Sequence, residues 1–447
     1  MQAKQNLFSK AALGFVVAAT GVGAGDLLTA SLAGSSVGLV ILWAAWAGAL
    51  LKFILNEGIA RWQMATNRSI IEGWHLHLPS IFPWLFFIYF LLWSFYVGGA
   101  LINACGVAGV GFISLGSPGL ARIIWGCLHS LAGLILVWRG GFELFQRLMT
   151  YLTAAMVITV FLSVILIKPD WILILKGIFW PAFPRASSNW LLAVMGGVGG
   201  TVTIICYGYW IREKMRQGGE GLKECRFDLG VGYALTAFFG LAMVIIGSRI
   251  IVRGRGDEIA WQLAESLGQV LGPAGKALFL AGFWSAVFSS LLGVWQGVPY
   301  IFADFLRISR RSRLIKRFKQ AKIKEGGKLR QEEAEGESSP EEKSILLTNE
   351  DLTRSLPYRI YLLALSFLPL VSLRFTVQKI QLIYALLGAF FMPFLALTLL
   401  ILNNKKDLVP RDFRNGWLTN FFLIINLLFF SYCGWREIRP LLVSLFY

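Results

Sequence analysis

A carboxylate and a run of glycines occur together in the first apolar segment of the chain. Residues 21–31 read GVGAGDLLTAS, in which Gly21, Gly23 and Gly25 are followed at once by Asp26. Glycine lowers helix stability by about 1 kcal/mol relative to alanine and admits backbone conformations that leave carbonyl groups free. A carboxylate at the bilayer centre is unfavourable by about 2.5–3.5 kcal/mol, so it persists where it meets a cation, a proton pathway or a base. The pattern predicts a helix break at which backbone oxygens and Asp26 bind a cation.

A second glycine cluster lies in the sixth apolar segment, LLAVMGGVGGTVTIICYGYW. Two interrupted helices at matching positions, first and sixth, are typical of inverted-repeat transporters whose binding site lies at the membrane midplane. Close helix packing through small residues is the alternative explanation for the glycines alone, and Asp26 favours the break. From this pattern the predicted binding residues are Asp26, Gly23 and Gly200, and the predicted hinges are Gly21, Gly25, Gly197 and Gly199.

The composition is that of a membrane protein with many spans. Of the 447 residues, 56% are hydrophobic and only 15% are charged, and the mean hydropathy is +0.64. Apolar runs of about 20 residues, long enough to cross a bilayer as a helix, recur along nearly the whole chain. We therefore predict an all-α integral membrane protein with about 11 transmembrane helices. Their approximate ranges are 10–33, 36–64, 82–113, 119–138, 146–168, 189–212, 228–252, 273–306, 356–374, 379–402 and 416–435.

The positive charge of the chain follows the predicted topology. The net charge is +17, and the lysine and arginine residues concentrate in the even-numbered connections between spans. Because cytoplasmic loops are rich in these residues, we predict a cytoplasmic N-terminus and a multi-pass protein of the plasma or inner membrane. The same distribution argues against nucleic-acid binding. The cysteines lack the spacing of a zinc site or disulfide framework, and no catalytic motif is present, so we predict that the chain is not an enzyme.

One long polar segment divides the chain. Residues 307–355 begin with a basic run and then turn acidic, with few aromatic residues, which is typical of a disordered cytoplasmic linker. The predicted organisation is therefore helices 1–8 in residues 1–306, the linker in residues 307–355, and helices 9–11 in residues 356–447. In the second span, Glu57 and Arg61 are four residues apart and share a helical face. A structural ion pair is the simpler explanation for them, and a gate at the cytoplasmic end is the alternative.

The order and spacing of several motifs resemble the Nramp family of proton-coupled divalent-metal transporters over nearly the whole chain. The residues in register are Ala60, Arg61, Thr66 and Glu72 around the end of the second span, Ser289-Ser290 in the eighth, and Pro393-Phe394 in the tenth. The resemblance implies a LeuT-type inverted-repeat fold, with a cation site between unwound helices 1 and 6.

The sequence departs from that family at the site itself. The family's first-helix motif Asp-Pro-Gly-Asn corresponds to Gly23-Ala24-Gly25-Asp26, so the carboxylate stands at a different position. The family's Met-Pro-His motif corresponds to Thr203-Ile204-Ile205, which removes the thioether and the histidine. A thioether favours softer transition metals, whereas oxygen ligands suit hard cations such as Mg²⁺ or Ca²⁺. The comparison therefore implies an oxygen-rich site in which Thr203 joins Asp26, Gly23 and Gly200 as a predicted binding residue. Loss of the family's histidines and third-helix acids argues against its usual proton coupling.

We predict a secondary-active transporter of a cation, a divalent metal ion of the Mn, Fe or Mg class, that works by alternating access. Two alternatives stay open: transport of a small organic solute such as an amino acid, and a homologue that has lost its metal site and does not transport. Oxygen atoms facing Asp26 would favour transport of a metal ion. A roomy apolar pocket would favour an organic solute. Bulky side chains that fill the site would favour a homologue that has lost its function. The expected partners are the lipid bilayer and the transported cation; no nucleic acid, further cofactor or oligomer is required.

Overall fold

The structure is a computed structural model that describes residues 11–113, 115–182, 188–197, 199–249, 259–325 and 352–446. Within these ranges the regular secondary structure is helical. The α-helices are α1 Ala12–Gly21, α2 Ala24–Val37, α3 Leu42–Thr66, α4 Ile70–His77, α5 Ile81–Phe112, α6 Pro118–Leu166, α7 Trp171–Phe179, α8 Ser188–Gly197, α9 Cys206–Glu213, α10 Gly218–Ser248, α11 Ile259–Glu325, α12 Leu356–Phe367, α13 Val377–Leu402 and α14 Trp417–Phe446. Short 3-10 helices cover Gly38–Ile41, Val202–Ile205, Leu352–Arg354, Leu368–Arg374 and Arg411–Phe413.

The first and sixth spans are each divided into two helices. In the first span α1 ends at Gly21, Val22 has extended dihedral angles of φ −90° and ψ 98°, and α2 begins at Ala24. In the sixth span α8 ends at Gly197, and a 3-10 turn over Val202–Ile205 leads into α9. The predicted unwinding of both spans at their glycine clusters is confirmed.

Kinks separate several of the predicted spans. Gly141, with φ 63° and ψ 175°, lies inside α6 between the spans predicted at 119–138 and 146–168. Gly272, with φ 74°, lies inside α11 just before the predicted eighth span. In the described part of the chain, eight helical stretches are long and apolar enough to cross a membrane, and α6 is counted among them once. Two further apolar stretches, Ala12–Gly21 and the Phe390–Leu402 part of α13, are shorter than these eight.

Large apolar side chains cover the outer surface of the helix bundle. Leu85 and Ile88 on α5 are 61% and 66% exposed, and Tyr151 and Ile158 on α6 are 71% and 57% exposed. In water, exposed apolar area of this extent would promote association, whereas in a bilayer it contacts lipid chains. The surface therefore agrees with the composition in placing these helices in a membrane.

The eighth span continues as a helix beyond the predicted boundary at residue 306. α11 extends to Glu325, so the start of the predicted 307–355 linker is helical. Residues 326–351 lie outside the described part of the chain. The 3-10 turn Leu352–Arg354 and helix α12 then begin the C-terminal helices, close to the predicted start at residue 356.

Both halves of the first span pack closely against α10. A methyl group added at Gly14 of α1 would lie 2.4 Å from the carbonyl oxygen of Asp228. One added at Gly34 of α2 would lie 2.1 Å from another α10 carbonyl oxygen, and one at Gly247 of α10 would lie 2.0 Å from a carbonyl oxygen of α2. Such backbone contacts require glycine. The Asp228 carboxylate also accepts a hydrogen bond from the Gly14 amide at 3.3 Å.

Candidate cation site

The two breaks lie against each other. A methyl group added at Gly21 would lie 3.0 Å from the carbonyl carbon of Gly199, and one added at Gly200 would lie 3.4 Å from the Cα of Gly21. Gly199 and Gly200 have φ values of +93° and +78°, in the left-handed region that side chains disfavour. The glycines therefore allow both the close approach of the two breaks and the irregular backbone of the second one.

The eighth span donates hydrogen bonds to the end of α1. Ser289 Oγ donates to the carbonyl oxygen of Ala19 at 3.3 Å, and Ser290 Oγ donates to that of Thr20 at 3.0 Å. The last carbonyl groups of a helix lack partners within that helix, so they need donors from elsewhere. The serine pair, which the family resemblance singled out, stabilises the C-terminal end of α1 at the break.

A small polar cavity lies where the breaks meet the second and seventh spans. Its volume is about 10 Å³, close to the minimum that one water-sized sphere requires. The residues that line it are Val17, Thr20, Gly21, Asn56, Gly199, Thr203, Ile204, Trp210 and Tyr233. A cavity of this size can hold a single ion or a single water molecule.

Two of these residues carry buried oxygens without a hydrogen-bond partner. They are Thr20 Oγ1 and Asn56 Oδ1, in residues that are 4% and 1% exposed. Asn56 Nδ2 donates to the hydroxyl of Tyr233 at 3.2 Å, which fixes the amide and leaves its oxygen for another partner. A buried unsatisfied polar group is unfavourable by about 1–3 kcal/mol. Binding a cation that both oxygens could coordinate would remove this penalty.

A buried lysine from the second span reaches the same region. Lys52 is fully buried, and its Nζ donates to the carbonyl oxygen of Gly196 at 2.6 Å. Its Cδ lies 3.3 Å from the position of a methyl group added at Gly199. Lys52 and Asn56 are four residues apart on α3, so one face of this helix carries both toward the breaks.

The structure brings two of the four predicted binding residues, Gly200 and Thr203, together. Gly23 lies beside the eighth span, where an added methyl group would be 3.1 Å from Ser290 Oγ. Gly200 and Thr203 lie together at the second break, and Thr203 also lines the cavity. Asp26 belongs to the first turn of α2, and its side chain lies outside the described residues. Its role as the charged ligand therefore stays a prediction.

The predicted hinge glycines occupy two kinds of position. Gly199 lies in the irregular segment of the sixth span. The other three lie at helix ends: Gly21 is the last residue of α1, Gly25 is the second residue of α2, and Gly197 is the last residue of α8. Their function as hinges stays a prediction, because one conformation does not report motion.

Sequence reasoning missed part of the cavity lining. Thr20, Asn56 and Tyr233 line the cavity, yet none was selected. A usable signal was present in the second span, where Lys52 and Asn56 stand four residues apart and follow the apolar first part of the helix. Among the residues that the structure describes, no three His, Cys, Asp or Glu side chains form a potential metal centre. The polar groups that the described cavity residues offer are hydroxyl, amide and backbone groups.

The predicted gate residues form an ion pair at the end of the second span that is predicted to be cytoplasmic. Arg61 Nη2 lies 2.6 Å from Glu57 Oε1, and both side chains are buried. Arg226 of α10 adds a contact from its Nε to Glu57 Oε1 at 2.9 Å. The carboxylate thus joins the second and seventh spans, a link that the sequence did not predict. Opening and closing of this contact as a gate stays a prediction.

A second buried carboxylate joins three more elements nearby. Asp304 of α11 is fully buried and lies 2.6 Å from Arg307 Nη2. It accepts hydrogen bonds from Ser69 Oγ, just before α4, at 2.7 Å and from the Tyr209 hydroxyl of α9 at 3.0 Å. These bonds connect the second half of the sixth span to the eighth span on the side predicted to be cytoplasmic.

A histidine of the connecting helix α4 lies beside this network. Burial lowers the pKa of His75 below its ordinary value of 6.5, against weaker opposing effects of Asp304 and Glu72. Its Nδ1 lies 3.0 Å from the carbonyl oxygen of Ile71, and its Nε2 lies 3.3 Å from Ser309 Oγ. His75 is therefore neutral at pH 7, and arginine side chains supply the positive charge around Asp304.

Comparison with known proteins assigns the family. A sequence profile described as natural resistance-associated macrophage protein-like, Nramp, matches residues 14–436. The chain belongs to the Nramp family. It is an integral multi-pass membrane protein, and the predicted family resemblance is confirmed.

Two relatives of this Nramp chain carry informative names. The divalent metal cation transporter MntH of Chromohalobacter salexigens is 25% identical over 296 residues, which cover 61% of this chain. The match spans 66% of that relative, just under two thirds of its length. Crystal structures of mutants of the Eremococcus coleocola manganese transporter match with a TM-score of 0.70 at 14% identity, covering 100% of this chain and 90% of theirs. At this identity the structural match shows the fold, and the predicted fold class is confirmed.

Proposed function

We propose that this Nramp-family chain is a secondary-active transporter of divalent metal cations. Its site lies between the broken first and sixth spans, and transport proceeds by alternating access around it. The names of the relatives, a divalent metal cation transporter and a manganese transporter, support this substrate class. We further propose that the N-terminus is cytoplasmic, in the plasma or inner membrane, and that Glu57 and Arg61 belong to the inner gate.

The observation that carries the proposal is the cavity at the two breaks. It is polar, it has a volume of about 10 Å³, and two of the residues that line it, Thr20 and Asn56, each carry a buried oxygen without a partner. A single ion fits this space. An amino acid would require a cavity many times larger. The size and chemistry of the cavity therefore favour an ion over an organic solute.

The ligand set favours a hard cation. Thr20, Asn56 and Thr203 offer oxygens from three different spans, and the predicted ligand Asp26 would supply the negative charge. Oxygen ligands of this kind suit Mg²⁺ and Mn²⁺ better than soft, thiolate-binding metals. The absence of a thioether at Thr203 predicts weaker discrimination between these two ions than a methionine would give.

The test is uptake into proteoliposomes together with calorimetric titration, using Mn²⁺, Mg²⁺ and Ca²⁺. We compare wild type with Asp26→Asn and Thr20→Val, and Thr236→Val serves as a matched control. Thr236 is also buried near Gly199, but its hydroxyl already donates to the Gly232 carbonyl of its own helix. Thr20→Val removes a proposed ligand while keeping the shape of the side chain.

We expect saturable divalent-ion binding that weakens about tenfold in Thr20→Val, a change of about 1.4 kcal/mol. Binding should be lost in Asp26→Asn and nearly unchanged in Thr236→Val. If wild-type protein shows neither heat nor uptake with any of the three ions, the proposal is wrong. Equal affinities of wild type and Thr20→Val for the ion would show that the cavity is not part of the binding site.

A further inference from the structure

Lys52 places a positive charge where the sixth span breaks. Its ammonium group donates to the carbonyl oxygen of Gly196, the second-last residue of α8, at 2.6 Å. The C-terminal end of a helix carries a partial negative charge, so it attracts a cation. Lys52 is fully buried, and a buried ammonium needs such oxygen partners in place of water. The chain therefore supplies its own cation at the break.

This charge adjoins the proposed ion cavity. Gly199 lines the cavity and also lies next to the Lys52 side chain, whose Cδ would be 3.3 Å from an added methyl group. Asn56, another lining residue, lies one helical turn from Lys52 on α3. Two cations so close together in a medium of low dielectric constant repel each other strongly. Lys52 in its described position thus opposes binding of a divalent ion.

We propose that Lys52 is a tethered cation that occupies the broken end of α8 and competes with the transported ion. This inference rests on the proposed function. The ammonium group of lysine sits on a flexible four-carbon stem, so it can withdraw when an ion enters. Its return when the ion leaves favours release. Lys52 therefore sets the affinity of the site and acts as a positioning residue for the sixth span.

The experiment is a calorimetric Mn²⁺ titration of wild type, Lys52→Gln, Lys52→Met and Lys52→Arg in detergent. Glutamine is neutral but keeps a donor for the Gly196 carbonyl, methionine is neutral without a donor, and arginine keeps the charge. We expect both neutral variants to bind Mn²⁺ about tenfold more tightly than wild type, within the usual range of coupling between sites. Lys52→Arg should bind no more tightly than wild type.

A matched control is Lys405→Gln. Lys405 Nζ also lies near a backbone carbonyl oxygen, that of His77 at 3.5 Å, but in the connection after α13, outside the cavity lining. This variant removes the same net charge from the protein and should leave Mn²⁺ affinity unchanged. Thermal melting of each variant reports whether it folds. If the neutral variants do not fold, Lys52→Arg still tests the inference.

The outcomes separate the two proposals. If wild type binds Mn²⁺ and the neutral variants bind equally or more weakly, Lys52 has a structural role only and the inference is wrong while the transport proposal stands. Tighter binding by Lys52→Arg than by wild type would contradict the inference as well. If no variant binds, removing the lysine has not exposed a site, and both proposals fail.

Discussion

At the scale of single residues, the glycines at the two breaks differ in what they permit. Gly199 and Gly200 have positive φ values, whereas Gly196 is helical. An added methyl group at Gly200 would lie 2.5 Å from Thr203 Oγ1, but one at Gly196 would meet its nearest atom, in Phe430, at 3.8 Å. The cluster therefore contains both a required glycine and a replaceable one, which the sequence pattern alone does not distinguish.

We expect Gly200→Ala to destabilise the protein by at least about 1–2 kcal/mol, because the left-handed conformation brings its side chain against the backbone. Gly196→Ala should be neutral or stabilising by up to about 1 kcal/mol, because alanine favours the helix. Thermal melting of both variants in the same detergent checks the difference. Equal melting temperatures would show that the irregular backbone at Gly200 does not persist in solution.

The sequence indicated the breaks but only part of the binding site. The two glycine clusters were found because glycine is unfavourable within a helix. Thr203 was found through the resemblance, because it stands where the family has methionine. Thr20 and Asn56 escaped because a threonine or asparagine in a membrane helix usually bonds to its own helix or a neighbouring one. Only the tertiary structure shows that their acceptor oxygens lack a partner.

At the scale of elements, the end of α1 depends on α11. Ser290 Oγ donates to the Thr20 carbonyl, whereas Ser366 Oγ donates to the Leu362 carbonyl within its own helix. We expect Ser290→Ala to lower the free energy of unfolding by about 1–3 kcal/mol, because it leaves a buried carbonyl without its donor. Ser366→Ala should have a smaller effect, since that carbonyl belongs to a regular helix. Chemical denaturation in detergent measures both; an equal effect would contradict the capping role of Ser290.

The carboxylate of Glu57 holds the second and seventh spans together. Its ion pair with Arg61 is buried, whereas the Arg147–Glu143 pair at 3.5 Å is largely exposed. We expect Glu57→Gln to destabilise the protein by about 3–5 kcal/mol, because two arginines lose their partner and Arg61 is left buried and unpaired. The control Glu143→Gln should change stability by less than about 1 kcal/mol.

Accessibility of the cavity from the side predicted to be cytoplasmic provides the second measurement on Glu57→Gln. If this contact belongs to a gate, a cysteine placed at the buried cavity residue Thr203 should react faster with a membrane-impermeant maleimide in the variant than in the parent. Loss of stability with an unchanged reaction rate would assign the pair to structure alone.

The order of the helices along the chain was predictable from the sequence. The residues at which the helices begin and end were less predictable. Apolar runs gave the spans because the bilayer fixes their length, about 20 residues. The continuation of α11 to Glu325 was not predicted, because a charged composition resembles a linker whether or not the backbone is helical. The short helices α4 and α7 were also missed, since neither is long enough to cross a membrane.

At the scale of the whole molecule, the distribution of charge predicts which ends of the helices face the cytoplasm. Gly219 lies between the sixth and seventh spans, predicted to be inside, and Gly119 is the first residue of the predicted fourth span, at the end predicted to be outside. Both are exposed, with no atom near the position of an added side chain. Maleimide added to intact cells should label Gly119→Cys and not Gly219→Cys, and the reverse should hold for inside-out vesicles. The opposite pattern would invert the topology.

The packing of α10 limits how the first span can move. This single helix of 31 residues contacts α1 through Gly14 and α2 through Gly34 and Gly247, on both sides of the break. Because α10 contacts both fragments of the first span, it restricts bending of α1 relative to α2. We therefore expect the two fragments of the first span to move together with α10, with bending between this body and the rest of the bundle and little at the predicted hinges Gly21 and Gly25.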